Sequence, residues 1–116
     1  MTSKELVKAA VAAIEEKKGE DIKVIDISGV SVIADYFILA SGNNQRQTQA
    51  IADELEERLG RQGVFMKQKE GYTTGNWILL DYQDVVIHIF NSEDRRFYNL
   101  ERIWTDGKTV DDIEAL

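Results

Sequence analysis

The chain has no cysteine, no proline, a single histidine and fewer basic than acidic residues. Without cysteine there is no disulfide framework and no thiolate metal site, which suits a reducing compartment. One histidine, His88, leaves no histidine-based metal cluster. Lys and Arg number 14 against 21 Asp and Glu, a net charge of −7. Phosphate binding rests on dense Lys and Arg, so wrapping of DNA or RNA is disfavoured. An acidic protein can still reach a ribonucleoprotein by docking on a basic protein there, and opposite fields would speed that encounter. The plainer meaning of the acidity is solubility. No run approaches the ~20 apolar residues of a membrane span, and the N-terminus lacks signal-peptide form. A cytoplasmic protein is expected.

What is present suits a globular domain. The 116 residues match one domain in length, and 43% are hydrophobic, enough for a core. Thr2-Ser-Lys-Glu5 has the form of a capping box. Leu6, Val7, Ala10, Val11 and Ile14 then follow at helical spacing, Lys17 and Lys18 suit the last turn, and Gly19 can stop the helix. Ile22–Ile27 reads as a strand, and residues 28–33 as a connection around Gly29. Tyr36–Ala40 is apolar throughout and reads as a central strand. Asn43 or Asn44 can cap a second helix running to about Leu59, with Thr48, Ile51, Ala52, Leu55 and Leu59 inward and Gly60 or Gly63 ending it. Val64–Lys69 reads as a third strand, and strand–helix–strand order implies parallel pairing through a crossover. Trp77–Leu80 and Val85–Phe90, joined by Asp81-Tyr-Gln-Asp84, read as a β-hairpin. Asn91 or Ser92 caps a last helix with Phe97, Leu100, Ile103 and Trp104 on one face, and residues 106–116 form an acidic tail after a domain of residues 1–105. The expected fold is α/β: a mixed five-stranded sheet flanked by helices.

No constellation carries an evident reaction. Asp81 and Asp84, with Asp21, Asp26 and Asp35 near other strand ends, are of a type that can hold Mg²⁺. Turn chemistry explains Asp81 and Asp84 more simply, because Asp bonds its own backbone in turns. Ser41-Gly42, between a buried strand and a helix, has the placement of a phosphate cradle, yet one Ser-Gly pair falls far short of a P-loop and also fits a tight turn. His88 has no cysteine nucleophile beside it and reads as a core or interface histidine. Arg95-Arg96 beside Glu93 and Asp94 fit helix ion pairs better than nucleic-acid contacts. Trp77 opens its strand and Tyr82 lies in a turn, so both are candidates for exposure. Exposed aromatics beside carboxylates suit a protein interface. Packing in the core is the competing role for them.

Several blocks together resemble one family. These are Asp35-Tyr-Phe-Ile-Leu-Ala-Ser-Gly42, Arg46-Gln47, Ala50-Ile-Ala52, Trp77-Ile-Leu-Leu-Asp-Tyr82, Val85-Val-Ile-His-Ile-Phe90 and Arg96-Phe-Tyr-Asn-Leu-Glu-Arg-Ile-Trp104. In order and spacing they resemble the ribosomal silencing factor family (RsfS, also called Iojap or YbeB), over essentially Leu6 to Trp104. Asn44 stands where the family usually has Ser or Thr, and Asn caps a helix equally well. The resemblance implies a nucleotidyltransferase-like fold without the catalytic carboxylates, and hence no enzyme, no cofactor and no metal. It implies binding to the large ribosomal subunit through ribosomal protein fourteen, a steric block on joining of the small subunit when nutrients are short, and a homodimer off the ribosome. The partner-binding residues it implies are Trp77 and Tyr82 as anchors, Leu80 as apolar fill, Asp81 and Glu101 as acceptors for Arg or Lys, and Tyr98; His88 is structural or a contact. The competing readings are a nucleotide- or phosphate-handling transferase using Ser41-Gly42 and Asp81, and a homodimeric scaffold with another partner.

Overall fold

A computed structural model describes residues 1–92 and 107–116. Helix α1 spans Ser3–Glu16 and opens with the expected capping box: Glu5 N–H donates to Thr2 Oγ1 (3.1 Å) and Thr2 N–H to Glu5 Oε1 (3.0 Å). Its end differs from expectation. Lys17 caps the helix and Lys18, at φ +60°, holds the left-handed position expected of glycine. Lys18 N–H donates to Glu15 O and Gly19 N–H to Ile14 O, the paired bonds that close a Schellman motif. Gly19 serves a packing need instead, since a Cβ there would sit 2.4 Å from Ile14 Cγ2.

Strand β1 (Glu20–Asp26) leads to β2 (Tyr36–Gly42), which is buried along its whole length. Helix α2 (Gln45–Arg61) follows, capped by Asn44, whose Oδ1 accepts from Gln47 N–H at 2.9 Å. Its buried residues are Thr48, Ile51, Ala52, Leu55 and Leu59, as the helical periodicity predicts. Gly63, at φ +77°, ends it. Strands β3 (Gln68–Glu70), β4 (Trp77–Asp81), β5 (Val85–Asn91) and β6 (Lys108–Thr109) complete the sheet, and a 3-10 turn at Ile113–Ala115 follows.

The sheet order is β3-β4-β5-β2-β1-β6, with only β2 and β5 parallel. Two expectations change. Lys108–Thr109, inside the expected acidic tail, pairs with β1 and makes a sixth strand; beyond it Val110, Ile113 and Leu116 pack against the main core. The third strand is shorter than Val64–Lys69 and lies at the far edge, antiparallel to β4, so the parallel partner of β2 is β5. Val64 and Met66 pack on the core while Phe65 is exposed, so this stretch alternates before it reaches its ladder. Alternation shows which faces a segment has, not which strand it pairs with.

Both described helices cover one face of the sheet. There Val7, Ala10 and Ile14 of α1 and Ile51, Leu55 and Leu59 of α2 meet Val24, Ile38, Ile78, Leu80, Ile87 and Ile89 of the strands. The second face carries Ile25, Phe37, Leu39, Val86, Phe90 and Trp77. Strand periodicity of two separates these sets residue by residue.

Candidate interaction face on the β4–β5 hairpin

Strand β4 divides the expected contact residues between the two faces. Trp77, Leu79 and Asp81 are partly exposed on the second face; Ile78 and Leu80 are fully buried under the helices. Leu80, expected as apolar fill at a surface, is 0% exposed and belongs to the main core. Tyr82, expected as an exposed anchor, is 7% exposed in the same core. Its position in a turn suggested exposure, but its place one step beyond Asp81 keeps its side chain on the helix face. Burial pushes its phenol up to about 12, and the hydroxyl has no hydrogen-bond partner among the described residues. Tyr98 and Glu101 lie outside the described residues, as do Arg95, Arg96, Phe97, Leu100, Ile103 and Trp104.

The hairpin turn is built on Asp81. Its Oδ1 accepts from Gln83 N–H at 2.8 Å, and Gln83 adopts φ +75°. Tyr82 N–H closes the loop on Val85 O at 3.0 Å. Turn chemistry therefore accounts for one carboxylate oxygen of Asp81. The turn is tied to the start of β2, because Asp84 O accepts from Asp35 N–H (2.7 Å) and Tyr36 N–H (3.2 Å).

At the other end of β4 sits an aromatic group. Trp77 Nε1–H donates to His88 Nδ1 at 3.1 Å. His88 Nδ1 is thus an acceptor, and in a neutral ring the proton sits on Nε2. His88 is 5% exposed, and burial pushes its pKa down to about 4. Its ring lies 5.0 Å from that of Phe37, and Trp77 stacks on Phe90 at 5.4 Å. Gly71, at φ +77°, passes so close to this strand that a Cβ would meet Trp77 O at 2.0 Å. Sequence reasoning missed the Trp77–His88 bond. The hairpin register held the signal, since Trp77 pairs with Phe90 and Leu79 with His88 on one face.

Ser41-Gly42 is packed rather than open. Ser41 is 1% exposed, and a Cβ on Gly42 would lie 2.9 Å from Thr48 Cγ2. Two donors at this junction are used within the chain: Asn43 N–H on Gln47 Oε1 (2.6 Å) and Gln47 N–H on Asn44 Oδ1 (2.9 Å). A phosphate cradle needs such donors free. Among the described residues no three acidic or histidine side chains gather as a metal site. No helix among them is long and apolar enough to cross a membrane.

Comparison with known proteins places the whole chain, residues 1–116, in the family described as "Ribosomal silencing factor during starvation". The chain belongs to the ribosomal silencing factor family. The ribosomal silencing factor RsfS of Halalkalibacterium halodurans is 42% identical over 96% of this chain and 95% of its own length. That of Bacillus subtilis is 40% identical over 96% and 94%. A solved structure from Chromobacterium violaceum matches with TM-score 0.88 at 34% identity, covering 90% of this chain and 88% of the other. These relatives are named as silencing factors rather than as enzymes. In this silencing-factor fold the helix after Ser41-Gly42 carries Asp53 and Glu54 as surface groups: Asp53 accepts from the Tyr72 hydroxyl at 3.0 Å, and Glu54 pairs with Arg58 at 4.0 Å.

Proposed function

We propose that this protein silences translation by binding the large ribosomal subunit through ribosomal protein fourteen and sterically blocking the small subunit, without enzymatic activity. Family membership supports a ribosomal role. The observation that carries the choice of surface is the outward row Trp77, Leu79 and Asp81 on β4. Its indole is oriented by His88, and Asp81 has one oxygen fixed by the turn. An aromatic anchor beside a carboxylate is well matched to a basic protein, and a net charge of −7 favours the encounter. Leu80 and Tyr82 support this surface from beneath. Tyr98 and Glu101 complete the proposed contact set, with a homodimer as the state off the ribosome and the cytoplasm as the place of action.

The test is sedimentation of the purified protein with separated large and small subunits at low and moderate salt. Co-migration with the large subunit alone, with loss of joined ribosomes, is expected. Equal behaviour with both subunits, or no binding at low salt, refutes the reading. Trp77→Ala, checked for folding by circular dichroism, is expected to weaken large-subunit binding by tenfold or more, in the range of interface anchors.

A further inference from the structure

The loop between β1 and β2 displays apolar residues that stand outside both core clusters of the described residues. Val32 is fully exposed and Ile33 is 71% exposed. Single exposed apolar residues are ordinary. Two consecutive ones, of which Ile33 lines a cleft, are a different matter when the loop is held in place. Val30 N–H and Ser31 N–H both donate to Ile27 O (3.0 and 2.8 Å), and Ile33 N–H donates to Ser31 Oγ (3.1 Å). Ile27 N–H donates to Asp35 O at 2.8 Å, and Asp35 N–H reaches across to Asp84 O at 2.7 Å. The loop is thereby fastened both to itself and to the hairpin turn. A surface ordered before binding loses little conformational entropy on docking.

Ile33 is also one wall of a cleft of about 340 Å³, with Ala34 and Val86 as further apolar lining and Asp81 and Gln83 as polar lining. Asp81 has one oxygen fixed by Gln83 N–H at 2.8 Å; its other oxygen has no hydrogen bond or ion pair among the described residues. Lys67 also lines the cleft and is exposed, so its ammonium keeps its water. Apolar walls suit the aliphatic stem of an arginine or lysine, and a pre-aimed carboxylate suits its charged head. An RNA phosphate would meet the Asp81 carboxylate and be repelled. The cleft continues the outward row of β4. Asp81 pairs in register with Val86, and a second cleft of about 280 Å³, lined by Glu70, Gly71, Trp77 and Leu79, lies at the other end of the same strand. Four residue steps along the strand lead from Trp77 to Asp81, about 13 Å.

We infer that the Val32–Ile33 loop and the Asp81 cleft form a second docking point, which seats an arginine or lysine of the same basic protein partner against Asp81 while Val32 and Ile33 cover its stem. The inference rests on the large-subunit reading above and extends the contact surface onto a loop outside the hairpin.

The test measures affinity for purified large ribosomal subunits by fluorescence anisotropy of the labelled full chain. The variants are Val32→Ser/Ile33→Ser, Asp81→Asn and Trp77→Ala. Both loop positions are exposed, so the fold survives their change, and Asn at 81 keeps the acceptor for Gln83 N–H while losing the charge. The expected result is a tenfold or greater weakening for the loop pair, and for Asp81→Asn a weaker complex whose salt dependence is shallower than that of the wild type. If Trp77→Ala weakens binding while the loop pair binds as the wild type does, the second docking point is wrong and the hairpin reading stands. Unchanged affinity and salt dependence in Asp81→Asn overturn the cationic occupant. If the wild-type chain does not bind large subunits, the functional reading falls and this inference with it.

Discussion

The two faces of the sheet are built from different materials. Under α1 and α2 the strands present mainly isoleucine, leucine, valine and alanine, joined by Tyr36 of β2 and by Tyr82, with Thr48 of α2 as a buried polar group satisfied by Gln45 O and Gly75 O, both at 2.8 Å. On the second face stand Phe37, Phe90 and Trp77 around a buried histidine whose Nε2 has no partner among the described residues. The first face is a standard close-packed interior, where aliphatic side chains settle volume and little else. The second places a polar pair among aromatic rings, where the hydrogen bond between them offsets part of the cost of burying them and fixes an orientation. What it orients is the Trp77 indole. Along β4 the two kinds of residue alternate, so neighbours in sequence do unrelated work: Leu80 holds the helices, and Trp77, Leu79 and Asp81 face outward.

Leu80→Ala gives the sharpest test of this division and the largest effect. Leu80 is fully buried beside Ile78 and Ile87, so truncation leaves a cavity and is expected to cost about 2–5 kcal/mol of stability in urea unfolding. At a temperature where the variant remains folded, its affinity for large subunits is expected to match the wild type. A specific loss of affinity in the folded variant would place Leu80 in the interface and break the separation of faces.

His88 offers the next test through pH. Its pKa falls from the ordinary 6.5 to about 4 in the folded state, because burial disfavours the charged ring. The unfolded chain therefore binds this proton first as pH falls. The stability that the neutral ring carries is complete above about 6.5, declines between about 6.5 and 4, and changes no further below that. The full loss is on the order of 3 kcal/mol for such a shift. His88→Gln is expected to flatten the unfolding free energy over that window while the amide can still accept from Trp77. Asp26 is held below the usual carboxylate range by the Ser28 hydroxyl, so its contribution is lost at lower pH. An unchanged pH profile in His88→Gln would show that the aromatic face does not bury a neutral histidine.

These contrasts were only partly legible in the sequence. The cap at Thr2, a second cap at Asn43 or Asn44, the inward stripe of α2 and the buried β2 follow from short-range chemistry, and the structure has each of them, with Asn44 as the second cap. Pairing across the sheet depends on contacts distant in sequence. That is why β3 was expected beside β2 and why Lys108–Thr109 read as tail rather than edge strand. The contact set suffered from the same limit. Family motifs mark Leu80 and Tyr82 alongside Trp77 and Asp81 without saying which face each occupies, and alternation in β4 puts Leu80 under the helices. The Val32–Ile33 loop carries no motif at all; only its exposure in the folded chain draws attention to it.

Tyr82 makes the smallest and most discriminating case. Its phenol lies on the helix-covered face with a hydroxyl unpaired among the described residues, and desolvation pushes its pKa up to about 12. A buried hydroxyl without a partner carries a desolvation cost that no hydrogen bond offsets. Tyr82→Phe removes only that oxygen and keeps the ring in the core. It is expected to leave stability unchanged or raise it by about 1 kcal/mol, read as a small rise in Tm, with binding to large subunits unaltered. A phenol that met the partner directly would behave in the opposite way, with an unchanged Tm and weaker binding. The two outcomes separate a core tyrosine from an interface anchor, which identity at this position alone does not do.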